Sequence, residues 1–256
     1  MKILMMGDVV GKPGRRAIQK LVPGLRKEHD VDLVIANAEN CAAGSGITFD
    51  TASELYEAGV DILTSGNHAW AKKEIIPYME GELPLIRPIN YPPGTPGRGY
   101  IIKESVMVVN VIGRVWMADV DCPFRAMDHI LEKTKGQAKI IIVDSHAEAT
   151  SEHGAIGWYL DGRVSAVLGT HTHIPTCDNR VLPKGTAYVT DIGMCGPRDS
   201  VIGNDPKEVL ERFLMAAHVR LQVAPGPVRF SSVLVDVDDS TGKARSIVRI
   251  DKEIEG

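Results

Sequence analysis

The chain has 256 residues, 44% of them hydrophobic and 24% charged, with a net charge of −4. That is the make-up of a globular protein with ample core. It excludes a general basic field for nucleic acid, and no run of about 18 apolar residues is present to span a membrane. The opening "MKILMMGDVVG" is not a signal peptide: its apolar part is short, Asp8 interrupts it, and no small-residue cleavage site comes after it. It reads as a first buried strand. Four cysteines, Cys41, Cys122, Cys177 and Cys195, lack CxxC spacing and read as reduced thiols of a cytoplasmic protein.

Short runs rich in Val and Ile then recur along the chain: "KILMMGDVV", "DLVIANAEN", "DILTSGN", "VMVVNVIG", "KIIIVDSH", "SAVLGTH", "GTAYVTDIG" and "SSVLVDVDD". Continuous apolar runs predict strands buried on both faces. Between the early ones, Ile18, Leu21, Val22 and Leu25 predict a helix over 14–29, kinked or broken at Pro23. A second helix is expected after an Asp50 N-cap, ending at Gly59. Asp205 then Pro206 starts a third over 205–217. Residues 228–252 predict a β-hairpin turning near 239–242, and the Pro/Gly-rich 90–100 a surface loop. Strands alternating with helices mean an α/β fold, read here as one domain over 1–256.

The residues that close each apolar run are more specific. The first run ends in Asp8, the second in Glu39 and Asn40, the third in Asn67 and His68, later ones in His146 and in His171 and His173. Taken singly each has an ordinary explanation: a capping aspartate, a solvated loop, a turn, a hydrogen-bonded core histidine. Ligands of open α/β sheets bind at the carboxyl ends of strands, so one shared site explains all five coincidences together. His171 and His173, two apart on an expected strand, would point to one side. His29 and His218 fall in or near helices, His129 lacks the strand-end placement, and His153 reads as a loop residue with a peripheral role at most.

Carboxylate, amide and imidazole together suit a first-row metal such as Mn, Fe or Zn. Eight residues are too many for one ion. Two ions about 3.5–4 Å apart, bridged by a carboxylate and a hydroxide, would use them all, the hydroxide being the nucleophile. With Asp8, Glu39 and hydroxide, two divalent ions leave about +1, which complements a phosphodiester monoanion. His68 could protonate the leaving oxygen. Competing motifs fail: "GDVVGKPG" is not a Walker A loop, no G-x-S-x-G is present, and a zinc site on His171, His173 and Cys177 leaves the carboxylates unexplained.

These residues resemble the calcineurin-like metallophosphoesterases. "GD" at 7–8, "GNH" at 66–68, "SH" at 145–146 and "GTHTH" at 169–173 keep that family's order. Two places depart from it: D-x-H is Asp8-Val9-Val10, and the bridging acid sits in "AEN" rather than "GD". Both departures, with "GDVVGKPGR", "AENCAAGSGIT", "SGNHAW", "RPINYP" and "GTHTHIPT", resemble the bacterial YmdB-type branch over nearly the whole chain. The resemblance implies a four-layer α/β/β/α sandwich with two central mixed sheets. It implies one metal on Asp8, Glu39, Asn40 and His173 and a second on Glu39, Asn67, His146 and His171. Glu39 bridges, Asn40 replaces the lost histidine, and His68 is the general acid. It further implies two ions, iron (Fe2+/Fe3+) or Mn2+, and hydrolysis of cyclic nucleotides of the 2',3'-cyclic AMP type. A phosphomonoesterase, or a metal-dependent nucleotide sensor without turnover, are the alternatives. The expected partner is a small phosphodiester, with no membrane and no extended nucleic-acid surface; a homo-oligomer stays open. Pocket loops are expected at 87–99 and 193–204.

Overall fold

The computed structural model describes every residue except Glu82, Ala217 and Gly256. The first half of the chain runs β1 (Lys2–Val9), α1 (Gly11–Glu28), β2 (Leu33–Asn37), α2 (Phe49–Glu57), β3 (Ile62–Thr64), α3 (Ile76–Met79), β4 (Tyr100–Lys103) and β5 (Val106–Ile112). It continues with α4 (Pro123–Lys133), β6 (Ile140–His146), α5 (Thr150–Leu160), β7 (Ala166–Thr170), β8 (Arg180–Val181), β9 (Ala187–Val189) and β10 (Met194–Pro197). The last elements are α6 (Pro206–Met215), β11 (Val228–Phe230), β12 (Ser232–Val237), β13 (Ala244–Arg249) and β14 (Lys252–Ile254).

Two mixed sheets form. In the first, β3, β2 and β1 are parallel neighbours. On its other side β1 pairs antiparallel with β12 over Lys2–Met6, then parallel with β10 at Asp8 and Val9. The exchange of partners falls at Gly7, where a Cβ would overlap the Gly193 carbonyl. The second sheet runs β4-β5-β6-β7-β9-β8, with β5, β6, β7 and β9 parallel.

Period-two alternation in the buried strands sorts side chains between layers. Ile3 and Met5 of β1 meet Val106, Val108, Ile140 and Ile142 of the second sheet in the central core. Leu4 and Met6 point the other way, onto Ala17, Ile18 and Val22 of α1 and Leu55 of α2. Met107 and Val109 of β5 pack outward on Met127 and Ile130 of α4 and Ile156 and Leu160 of α5. The result is the expected four-layer α/β/β/α sandwich.

Several local expectations change. Helix α1 starts at Gly11 and continues through Pro23. Pro23 lies on the exposed face, so the carbonyl that loses its helical N–H partner can reach water while the core face stays packed. Thr48, not Asp50, caps α2, because its hydroxyl and that of Thr51 close a reciprocal capping box. Asp50 sits in the first turn. Gly59 comes after α2 at φ 96°, as expected of a C-terminal glycine. Helix α6 spans Pro206–Met215 behind its Asp205 cap; position 217 of the expected helix lies outside the described residues. The terminal hairpin is β12–β13 alone, since β11 pairs with β10 and β14 instead. Helices α4 and α5 have no counterpart among the expected elements, and α5 takes His153 out of the expected loop. All four cysteines are free thiols, and among the described residues no helix is long and apolar enough to cross a membrane.

Candidate active site

The carboxyl ends of β1, β2 and β3 in one sheet and of β6 and β7 in the other meet along one edge of the sandwich. All eight residues read from the sequence gather there. Nε2 of His146 lies 3.2 Å from Glu39 Oε1 and 3.0 Å from Asn67 Oδ1, and 3.1 Å from His171 Nδ1. Nε2 of His173 lies 3.3 Å from Asn40 Oδ1 and 3.9 Å from Asp8 Oδ1. Glu39, His146 and His171 each offer a donor atom within 4.8 Å of the others. Gly66 makes this approach possible: a Cβ there would overlap both the His146 ring and Glu39 Oε2. The backbone N–H of His68 donates to Glu39 Oε2 at 2.9 Å, while His68 itself lines the cleft over the cluster.

The expected strand placement of His171 and His173 does not hold. Strand β7 stops at Thr170, and the two histidines stand in a turn at φ 105° and 66°. Such left-handed values strain side-chain-bearing residues. Asp191 holds the turn, accepting from Thr172 N and Thr172 Oγ1, both at 2.9 Å, and from Gly193 N at 2.6 Å. Two same-side imidazoles thus come from a tight turn rather than from a pleat.

Partners on the far side of each ring decide which nitrogen faces the cluster. Thr170 Oγ1 donates to Asp144 at 2.7 Å and accepts from His146 Nδ1 at 2.9 Å, so Nε2 is the nitrogen that faces the cluster. A carbonyl can only accept, so His173 Nδ1 donates to Ile202 O at 2.8 Å and presents bare Nε2. Nε2 of His171 meets Glu148 Oε2 at 3.0 Å, which turns Nδ1 inward. Oriented rings of this kind are the usual support of metal-binding histidines. Asn40 is aimed likewise, its amide N–H₂ donating to Gly44 O at 3.0 Å.

Electrostatics at the cluster are strained by burial. Burial drives the Asp8 carboxyl well above the usual carboxylate range, with the His146 charge pulling it down and Asp191 and Glu39 pushing it up. Burial opposes the charge on Glu39 too, but the charge and hydrogen bond of His146 prevail and hold it near 2. Reciprocally, burial is outweighed at His146 by Glu39, Asp8 and Asp144, which raise it to about 9. Burial and the charge of His146 lower His171 to about 3, and burial lowers His173. Asp8 Oδ1 is buried without any hydrogen-bond partner. An orphaned carboxylate oxygen among inward-facing imidazole nitrogens in a desolvated edge is a donor set that cations satisfy.

The cleft over the cluster measures about 480 Å³, a size that takes a small molecule. Residues the sequence reading passed over also line it: Glu148, Arg212 and Leu221. Ile202 and Asn204 bear out the 193–204 loop as a wall, whereas residues 87–99 border a separate depression. Asp191 was missed although it comes after β9 just as Asp8 closes β1, so the strand-end pattern contained its signal. His153 is no peripheral substrate residue. It is buried on α5, bonded to the Ala147 carbonyl at 2.7 Å and lowered to about 4 by burial.

Comparison with known proteins places the chain among relatives of known family. A family model described as YmdB-like protein matches residues 4–250. A Bacillus subtilis protein named 2',3'-cyclic-nucleotide 2'-phosphodiesterase is 45% identical over 98% of this chain and 96% of its own. A crystal structure of a hypothetical protein from Thermus thermophilus is 45% identical and superposes with a TM-score of 0.93 over 99% of both chains. A crystal structure of a novel phosphatase from Mycoplasma pneumoniae is 33% identical, with a TM-score of 0.93 over 100% of this chain and 94% of that one.

Proposed function

The chain belongs to the YmdB-like family, a phosphoester-hydrolase family of the metallophosphoesterase fold, and we propose that it hydrolyses the cyclic phosphodiester of 2',3'-cyclic nucleotides in the cleft at the strand ends. The observation that carries this reading is the convergence of buried carboxylates and inward-facing imidazole nitrogens from both sheets beneath a small-molecule cleft. The Bacillus relative's name supports the substrate class. The reading takes residues 1–256 as one domain.

Asp8, Glu39, Asn40 and His173 would hold one ion, and Glu39, Asn67, His146 and His171 a second, with Glu39 shared. Mixed oxygen and nitrogen donors favour iron or manganese over magnesium or calcium. Divalent ions at such a site offset phosphate charge and lower the pKa of bound water toward neutrality. The protein's own contribution is orientation: Asp144 through Thr170, Glu148 and Ile202 lock the three rings, and Asp191 holds the strained turn that carries His171 and His173. His68, fixed by its backbone bond to Glu39 but free in its side chain to face the cleft, donates a proton to the departing ribose oxygen. One water is consumed: its oxygen bonds to phosphorus as the P–O2' bond breaks, the proton from His68 goes to O2', the water's proton is given up to restore His68, and a 3'-phosphomonoester stays on the ribose.

Purified protein loaded with Fe2+ or Mn2+ and given 2',3'-cyclic AMP is expected to release 3'-AMP. Turnover of phosphomonoesters in preference to diesters, or nucleotide binding without turnover under any metal, would overturn this reading.

A further inference from the structure

A second cavity, about 560 Å³, opens between α4 and the 87–100 segment. It shares no lining residue with the catalytic cleft. In a chain of net charge −4 its walls are cationic: Arg87 and Arg98 at the back, Arg125 and Lys133 at the front, against the single carboxylate of Asp121. Arg125 and Lys133 are eight residues apart on α4, so they share one helical face. None of these four cations forms an ion pair among the described residues, whereas Arg15, Arg163 and Arg249 each hold a carboxylate. The terminal nitrogens of Arg87 donate to the carbonyls of Pro88 and Thr95, at 2.8 and 3.2 Å, and Arg98 donates to Leu83 O. The Nε groups of both are buried with no partner at all. A guanidinium keeps its charge at any physiological pH. Four cations lining one cavity, none of them paired with a carboxylate among the described residues, call for an anion from outside.

Two tyrosines define the rest of the cavity. Tyr91 stands edge-on to Trp70 with ring centroids 4.7 Å apart, and Lys133 Nζ lies 6.0 Å above the Tyr100 ring. Guanidinium and ammonium groups suit phosphate oxygens, and tyrosine rings suit a flat heterocycle. We propose that this cavity is a second binding site, outside the catalytic cleft, for a phosphate-bearing small molecule of mononucleotide size, with its phosphate held by Arg125 and Lys133 in front of Arg87 and Arg98. It stands independently of the reaction assigned to the cleft.

The test is calorimetric titration of AMP, with inorganic phosphate in parallel, into the metal-loaded full-length protein and its Arg125→Glu/Lys133→Glu variant. Both positions are exposed, so the fold tolerates the change. The variant is expected to bind one equivalent of AMP fewer than the wild type while hydrolysing a chromogenic diester within twofold of it. The charge-keeping Arg125→Lys/Lys133→Arg variant is expected to retain that equivalent. AMP held more tightly than inorganic phosphate assigns the ring as well as the phosphate to the cavity, and equal affinities assign the phosphate alone. The same number of AMP equivalents, bound equally well, in the wild type and the charge-reversed variant would overturn the proposal.

Discussion

The two sheets supply unlike donors to the site. Strand ends of the first sheet bring oxygen, from Asp8, Glu39, Asn40 and Asn67, whereas those of the second bring nitrogen, from His146, His171 and His173. Beneath the cluster Asn37 ties the two together, reaching from β2 to Asp144 of β6 at 3.0 Å. Neither sheet holds a mixed ligand set by itself. The difference teaches that the chemistry belongs to the seam, and that whatever occupies the seam also cross-links the sandwich.

The largest expected effect comes from removing the shared oxygen donor. Glu39→Gln should lose metal and slow diester hydrolysis by at least about 10³-fold, because an ion's electrostatic contribution is worth several kcal/mol. The same change should abolish the metal-dependent rise in Tm. A ligand at about 1,000 times its Kd stabilises by about 4 kcal/mol, or roughly 8–16 °C at this chain length. Metal analysis and thermal unfolding with and without chelator check both. A variant that keeps two ions and full turnover sinks the shared assignment.

His68 should separate chemistry from the seam. His68→Ala is expected to retain its metal and to lose roughly 10²–10⁴-fold in kcat on a cyclic nucleotide. The loss should be smaller on a nitrophenyl ester, whose leaving group departs without a proton. Metal content and kcat on both substrates decide it: lost metal makes His68 a ligand, and equal losses make it a positioning group.

A smaller effect is expected behind the nitrogen donors. Thr170→Val breaks the relay from Asp144 to His146, along with a long 3.4 Å bond from Asn37, and should lower metal affinity about 10–100-fold. Unchanged affinity by competitive chelation would show that Asp144 does not orient the ring.

A last effect, on stability rather than activity, concerns acid sensitivity on the second sheet's side. Burial lowers His153 to about 4 from an ordinary value of 6.5, so folding favours its neutral form. That stability is present above pH 6.5 and is lost as pH falls from 6.5 through 4, by about 3 kcal/mol in all. Urea unfolding from pH 7 to 4.5 should therefore weaken more steeply in the wild type than in His153→Gln. Parallel slopes would assign the acid sensitivity to other groups.

Much of this was legible in one dimension. A strand's apolar run ends where the chain leaves the sheet, so the residue after it must lie at the sheet's edge. That rule located Asp8, Glu39, Asn40, Asn67, His68, His146, His171 and His173 without knowledge of the packing. It stayed silent on α4 and α5, and it misjudged Pro23 and Asp50. Those outcomes hang on which helix face meets solvent and on whether a hydroxyl three residues away closes a cap.

What the sequence by itself determined was the alternation of strands and helices, the buried runs and the chemical types waiting at their ends, because backbone periodicity and burial act over a few residues. Only the tertiary structure decided that two sheets bring those ends to one edge. It also decided that Asp191 bends the 171–173 turn inward, that Glu148, Thr170 and Ile202 turn one nitrogen of each imidazole toward the carboxylates, and that arginines without carboxylate partners gather in a separate cavity. Those outcomes depend on groups far apart in the chain, brought together by the apolar core between the sheets and held by hydrogen bonds that water no longer contests.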